Sequence, residues 1–311
     1  MTETGSPPPL RATFVGVSTI LLSAGRDAVL IDGFFTRPSY LPVFLGKIQP
    51  DEKVVAECLA RLGVVEEDES NTASPTDPRT QTLHAVLVAH THFDHALDAP
   101  LVCKRTGAKL VGSESLHNLG RGQGVPEDQM VLALDGAVLE YGPLRVRVLE
   151  GIHSPGDVAP GEIDGPLAMP APYNALRTGR CYSFLVEHRG RRVFVHPSAN
   201  YVKGRLGGLG EADWLFLGVG VLGKQSGEFM EEYWKEVVEV LGPKQVVPIH
   251  WDNFWKPLSV PLLPLPWFLD RFSVAEAWLR EKCEAAGIDL RVMQAWDSVD
   301  CAKPASSQLQ P

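Results

Sequence analysis

His90-Thr-His-Phe-Asp-His95 places four side chains able to bind a metal, His90, His92, Asp94 and His95, within six residues. Imidazoles and a carboxylate crowded together suit a borderline ion such as zinc. Helical neighbours recur three or four residues apart, so a helix would turn His90 and His92 to different sides, whereas a turn lets both face one cavity. A bound divalent cation lowers the pKa of a coordinated water toward neutrality and leaves hydroxide available at pH 7. Such a metal-bound hydroxide attacks a carbonyl or phosphoryl centre. Asp94 would hold an ion, orient the nucleophile and accept its proton, which gives it the catalytic role. No Ser/His/Asp arrangement is required beside it.

A zinc site needs ligands from more than one short motif, and three further histidines stand at strand ends. His153 follows the apolar run Leu144–Leu149, His196 ends Arg192–Val195, and His250 ends Gln245–Ile249. Sheet proteins tend to build sites where strands run out. His84, His117 and His188 lie at a strand start, on a short helix and in a hairpin turn, and are read as structural.

The elements that must carry these ligands follow from residue patterns. Leu83–Ala89, apolar and β-branched, reads as the buried strand before the motif. From Ala12 the chain reads as two strands around the turn Ser23–Asp27, ending at Asp32. Helices are expected over Asp51–Leu62, Asp98–Thr106, Ser113–Leu119, Glu228–Leu241 and Phe272–Ala286, the last stopped by Gly287. Further strands are expected over Lys109–Gly112, Val131–Leu134, Ala137–Tyr141, Cys181–Glu187, Trp214–Leu217 and Leu290–Met293. Strands, then helices, then strands and helices again suit two sheets packed face to face with helices outside. Residues 154–180 and the Pro-rich 257–267 follow two proposed ligands and could cover the metals or simply connect elements. Trp251, Phe254 and Trp255 could wall a pocket or pack in the core.

Bulk properties exclude several classes. A chain of 311 residues, 44% hydrophobic and 22% charged, has an ordinary globular composition. The net charge of −9 makes a nucleic-acid backbone a poor partner. Part of the acidity sits in Glu66-Glu67-Asp68-Glu69, read as a solvated loop. Five widely spaced cysteines without a CxxC pair favour reduced thiols and a cytoplasmic location. The start has neither a basic region nor an apolar core, so no signal peptide is expected there. No apolar run is long enough to span a membrane. Residues 1–10 are expected as a disordered leader, 11–303 as a single domain and 304–311 as a flexible tail.

His90-x-His-x-Asp-His95, the His153-Ser-Pro-Gly turn and strand-terminal His250 resemble the metallo-β-lactamase superfamily over roughly residues 12 to 256. The opening strands ending in Ile31-Asp32-Gly33 are similar to that family's start. Phe14-Val-Gly-Val-Ser-Thr-Ile-Leu-Leu and His250-Trp-Asp-Asn-Phe resemble the branch holding L-ascorbate-6-phosphate lactonase and the N-acyl-phosphatidylethanolamine phospholipase D type. The resemblance implies an α/β fold, a four-layer αββα sandwich of two mixed sheets with outer helices and the metals at one edge. It implies that His90, His92 and His153 hold one ion, and Asp94, His95 and His250 a second.

Most hydrolases of that family carry a bridging aspartate, often in a Gly-Asp pair, where this chain has Val195-His196. An imidazole nitrogen cannot bridge two ions as a carboxylate does, though it can bind one. His196 is therefore expected as a terminal ligand of the second ion, or to hold that site in a changed geometry. The β-lactamases proper also lack the bridging aspartate, so hydrolysis is not excluded. The implied activity is metal-dependent hydrolysis of an ester, lactone or phosphodiester in a small molecule, with one or two divalent ions. Zinc is the first choice, and iron, manganese or nickel are others that nitrogen-rich ligands accept. Persulfide dioxygenase and flavodiiron proteins share the fold. The alternatives are thus an iron-dependent oxidoreductase, or a non-catalytic metal-binding protein with a decayed dinuclear site. Nothing in the sequence sets the oligomeric state, a homodimer included.

Overall fold

Runs of β-branched and aromatic residues fold into strands that gather in two mixed sheets, as described by a computed structural model covering residues 8–66 and 80–301. The first sheet contains β1 (Leu10–Gly16), β2 (Thr19–Ala24), β3 (Asp27–Ile31), β4 (Thr82–Leu87), β5 (Lys109–Gly112) and β6 (Met130–Leu132). The second contains β7 (Val138–Tyr141), β8 (Leu144–Gly151), β9 (Cys181–His188), β10 (Arg191–His196), β11 (Trp214–Gly218), β12 (Gln245–Ile249) and β13 (Asp289–Leu290). The late strand β14 (Ser298–Asp300) returns to pair with β1. The orders are β14-β1-β2-β3-β4-β5-β6 and β13-β12-β11-β10-β9-β8-β7. In each sheet one half is antiparallel and the other parallel. The direction changes at β3 in the first sheet and at β10 in the second.

Side-chain alternation sorts each strand between two destinations. In β3, Val29 and Ile31 join a core shared with Val146, Val148 and Phe184 of the second sheet. Ala28 and Leu30 of the same strand face a separate cluster with Val55, Leu59 and Val102 from helices. Successive strand residues point to opposite faces, so a strand covered on both sides reads as an unbroken apolar run. The helices are α1 (Tyr40–Leu45), α2 (Glu52–Leu62), α3 (Phe93–Ala96), α4 (Ala99–Thr106), α5 (Glu114–Gly122), α6 (Gly227–Tyr233) and α7 (Phe272–Ala286). Asp51 caps α2 by accepting from the Lys53 and Val54 N–H groups, and Gly63 closes that helix at φ 71°.

Three expectations change. The first apolar run is two strands rather than one, because the chain reverses at Gly16 and Val17, with φ 132° and 52°. A β-carbon on Gly16 would sit 2.0 Å from Arg37 Nη2, so only glycine fits. Leu10, placed in the leader, is buried and pairs with Ala24. The helix expected over 228–241 is α6 followed by a π-helical stretch, Trp234–Glu239. Residues 1–7 of the leader, 67–79 with most of the acidic run, and 302–311 lie outside the described residues. Among the described residues no helix is long and apolar enough to cross a membrane.

All five cysteines are buried and unpaired. Burial pushes Cys283 up to about 11, and Cys58 and Cys181 up to about 12. Only the thiolate reacts, so raising the pKa suppresses alkylation at pH 8. Iodoacetamide at pH 8 is expected to leave the native thiols unmodified and to label all of them in urea. Rapid labelling of the native protein, read by mass spectrometry, would contradict this burial.

Candidate metal centre

The motif turn is pinned between the sheets. β4 ends at Leu87, and two residues later the Ala89 N–H donates to Asp32 Oδ1 (2.7 Å). The Ala89 carbonyl accepts from the Tyr182 N–H of β9 (2.8 Å), and the Thr91 N–H donates to the Thr178 carbonyl (2.9 Å). His92 then precedes α3, whose single turn carries Asp94 and His95. In the second sheet β8, β10 and β12 run the same way, so their C-terminal ends share an edge. His153 follows β8 and His250 follows β12 there. His250 takes φ 60°, and its N–H donates to the Val17 carbonyl (2.6 Å). Gly220 lies so close that a β-carbon on it would sit 2.9 Å from His250 Nδ1.

Six of the seven proposed ligands converge in two groups: His90, His92 and His153, and Asp94, His95 and His250. His90 Nε2 lies 3.2 Å from His92 Nδ1. His95 Nε2 lies 3.2 Å from His250 Nε2, and these nitrogens lie 3.6 and 3.3 Å from Asp94 Oδ2. A tetrahedral ion about 2.0–2.1 Å from each nitrogen would set its ligand atoms roughly 3.3 Å apart. The donor set therefore fits a divalent cation in spacing and in chemistry. The groups adjoin, with the His90 and His95 rings 3.9 Å apart between centroids.

The far sides of His95, His92 and His153 are held in turn. His95 Nδ1 donates to Asp32 Oδ2 (2.8 Å), which also accepts from the Ser18 hydroxyl. Asp32 is fully buried, and this bond leaves the His95 Nε2 lone pair facing its group. His92 Nε2 meets Thr178 Oγ1 at 3.0 Å and Asp157 Oδ1 at 3.2 Å, which turns Nδ1 inward. His153 Nδ1 donates to the Ser154 carbonyl (2.8 Å). Burial lowers the pKa of His90 and His92 and takes His153 to about 4, so these rings are neutral lone-pair donors at pH 7. Burial would raise Asp94, but the His95 and His250 imidazoles outweigh it and hold the carboxyl below the usual range. His250 is opposed by burial yet raised overall by its hydrogen bond to Asp94.

His196 is a correction. It ends β10 on the right edge but faces the wrong way. Strand parity puts it with Phe194, against Tyr233 in the helical layer, at ring distances of 6.1 and 5.8 Å. Its Nδ1 meets Ser183 Oγ at 2.7 Å and its Nε2 meets the Asn200 carbonyl at 2.8 Å. Neither nitrogen is left for an ion. The turn after it serves the site from behind, as Asn200 Nδ2 donates to the His153 carbonyl (2.7 Å). Asp32, Asp157 and Thr178 were not anticipated. Asp32 alone carried a readable signal, because it too ends a strand. Asp32→Asn is expected to weaken metal binding about 10–100-fold, as loss of a carboxylate behind a liganding imidazole does. Competition against a chelator measures it, and wild-type affinity would contradict the role.

A cavity of about 330 Å³ opens beside both groups, with His92, Asp94, His153 and His250 in its wall. Residues 154–180 contribute Val158, Tyr173 and Leu176, and the Pro-rich stretch contributes Leu265. Of the three aromatics near His250, Phe254 and Trp255 face the cavity, whereas Trp251 stacks on Phe272 at 5.0 Å.

The family model described as Beta-lactamase superfamily domain matches residues 50–251. A metal-dependent hydrolase from Desulforamulus reducens is 28% identical over 256 residues, spanning 80% of this chain and 87% of that protein. Another from Myxococcus xanthus is 36% identical over 86 residues, 27% of this chain and only 30% of that relative's length. Among solved structures, a metallo hydrolase from Ignicoccus hospitalis superposes with a TM-score of 0.55 at 17% identity, covering 93% of this chain and 97% of that one.

Proposed function

The chain belongs to the metallo-β-lactamase superfamily, and we propose that it is a metal-dependent hydrolase acting on an ester, lactone or phosphodiester in a small molecule. The observation that carries this reading is the pair of adjoining ligand groups, with four of their members opening into one cavity. Divalent ions held by His90, His92 and His153 and by Asp94, His95 and His250 would polarise the oxygen of the scissile group and bring the pKa of water toward neutrality.

The chain's own residues do the rest. His90, His92 and His153 offer neutral nitrogens and no charge. Asp94 brings the only carboxylate of the six and reaches the cavity, where it orients the attacking water and takes its proton. Asp32 and Asp157 fix the imidazole orientations, and the apolar walls keep bulk water from the reacting atoms. Nitrogen-rich donors at these spacings support zinc and one ion in each group. Each group keeps three converging donors, which argues against a decayed site. Five unpaired thiols support a reducing compartment, the cytoplasm.

The test is turnover on a panel of esters, lactones and phosphodiesters, with and without added zinc or iron. Metal-dependent hydrolysis is expected. Fully metallated protein that cleaves none of them would overturn the reading. Substrate oxidation that requires iron would favour the oxidoreductase instead.

A further inference from the structure

Beyond the paired ligand groups, the cavity has a chemical character of its own. One side is the ligand wall, and most of the rest is apolar and largely aromatic, with Phe44, Phe93, Tyr173, Leu176, Phe254 and Trp255. Among the described residues no lysine or arginine lines it. The one carboxylate that joins the proposed ligands among its described lining residues is Asp270, buried and accepting from the Val221 N–H (3.1 Å) and the Arg271 N–H (2.6 Å). A charged substrate would give up hydration there and meet an apolar wall and a carboxylate, and no described lysine or arginine stands beside the ligands to share the charge of a phosphodiester's phosphoryl oxygens. At the mouth, Phe44 and Val158 line the cavity yet remain 53% and 74% exposed. Exposed apolar groups bordering a cleft mark a surface that binds apolar matter. The volume, about 330 Å³, lies at the small end of ligand pockets.

We infer that this cavity is an acyl or aryl pocket, and that the substrate is an uncharged carboxylic ester or lactone with an apolar group on its acyl side, rather than a phosphodiester. The inference rests on the hydrolase reading and narrows it. In the reaction, a water oxygen forms a new bond to the acyl carbon and the acyl C–O bond breaks. One water proton ends on the leaving alcohol oxygen, and the product acid releases its own. The apolar group stays in the aromatic pocket while the acyl carbon faces the ligand wall.

The test is calorimetric binding of straight-chain carboxylates, from acetate to octanoate, to the zinc-loaded full chain as product analogues. Kd is expected to fall about fourfold per methylene until the cavity is filled. Phe254→Ser, at a partly exposed wall position, should weaken octanoate much more than acetate. A flat series, or equal weakening of both acids by Phe254→Ser, would overturn the inference whatever the catalytic result. A p-nitrophenyl ester series and bis(p-nitrophenyl) phosphate are then compared for turnover. Preference for the phosphodiester also overturns the inference while leaving the hydrolase reading intact. A binding slope with no turnover of any substrate would sustain the pocket and sink the hydrolase.

Discussion

Asp94→Asn is expected to lower kcat/KM for hydrolysis by about 10²–10⁴-fold, the range for losing a positioned proton acceptor. The substitution keeps the shape of the side chain and removes its charge. Asp94 Oδ2 lies 3.3 Å from His250 Nε2 and 3.6 Å from His95 Nε2, so it brings the one negative charge in its group. With a neutral amide there, the group holds its ion less tightly and the attacking water loses its proton acceptor. Metal content and rate are measured on the same sample, so the two losses are separated by saturating the variant with metal. A metal-saturated variant within tenfold of wild type would show that Asp94 is only a ligand.

Arg37→Ala is expected to destabilise the fold by about 3–5 kcal/mol, because it strands a buried charge. Arg37 Nη2 lies 2.7 Å from Asp252 Oδ2, with both side chains fully buried. Asp252 Oδ1 also accepts from the Val17 N–H (2.7 Å), and the Val17 carbonyl accepts from the His250 N–H (2.6 Å). The ion pair thus fixes the β1–β2 turn and, through it, the backbone of a proposed ligand. Arg37 Nε and Nη1 have no hydrogen-bond partner among the described residues, so the pair also carries a desolvation cost. Replacing both residues together, Arg37→Met with Asp252→Leu, should therefore lose much less stability than Arg37→Ala alone. Urea unfolding monitored by tryptophan fluorescence measures both. A single variant within about 1 kcal/mol of wild type would contradict the account.

The proposed ligand groups were legible because each member occupies a place that sequence can mark. His90, His153 and His250 come just after apolar runs, and such runs announce where strands end. His92, Asp94 and His95 follow from their closeness to His90. His196 met the same rule and failed it for a reason the rule does not contain. A strand end fixes the edge of the sheet but not the face. β10 is apolar on both faces, with Val193, Phe194 and Val195 all buried, so its alternation gives no sign of which side meets the other sheet.

The β1–β2 turn was hidden for a similar reason. Gly16-Val17-Ser18 sits inside a continuous apolar run, and Val17 takes φ 52°, which a branched residue rarely adopts. Distant Asp252, not local turn chemistry, holds it there. Asp157 and Thr178, behind His92, were illegible because their hydrogen bonds join residues far apart in the chain. Thr178, ahead of β9, reaches His92 only once both sheets have formed.

The most direct test of the two-ion account is a titration of chelator-stripped protein with zinc, following ester hydrolysis and bound metal together, for wild type and His196→Ala. Activity in both proteins should saturate with two ions per chain, one for each ligand group. Saturation at one ion, or loss of one ion from His196→Ala, would contradict it.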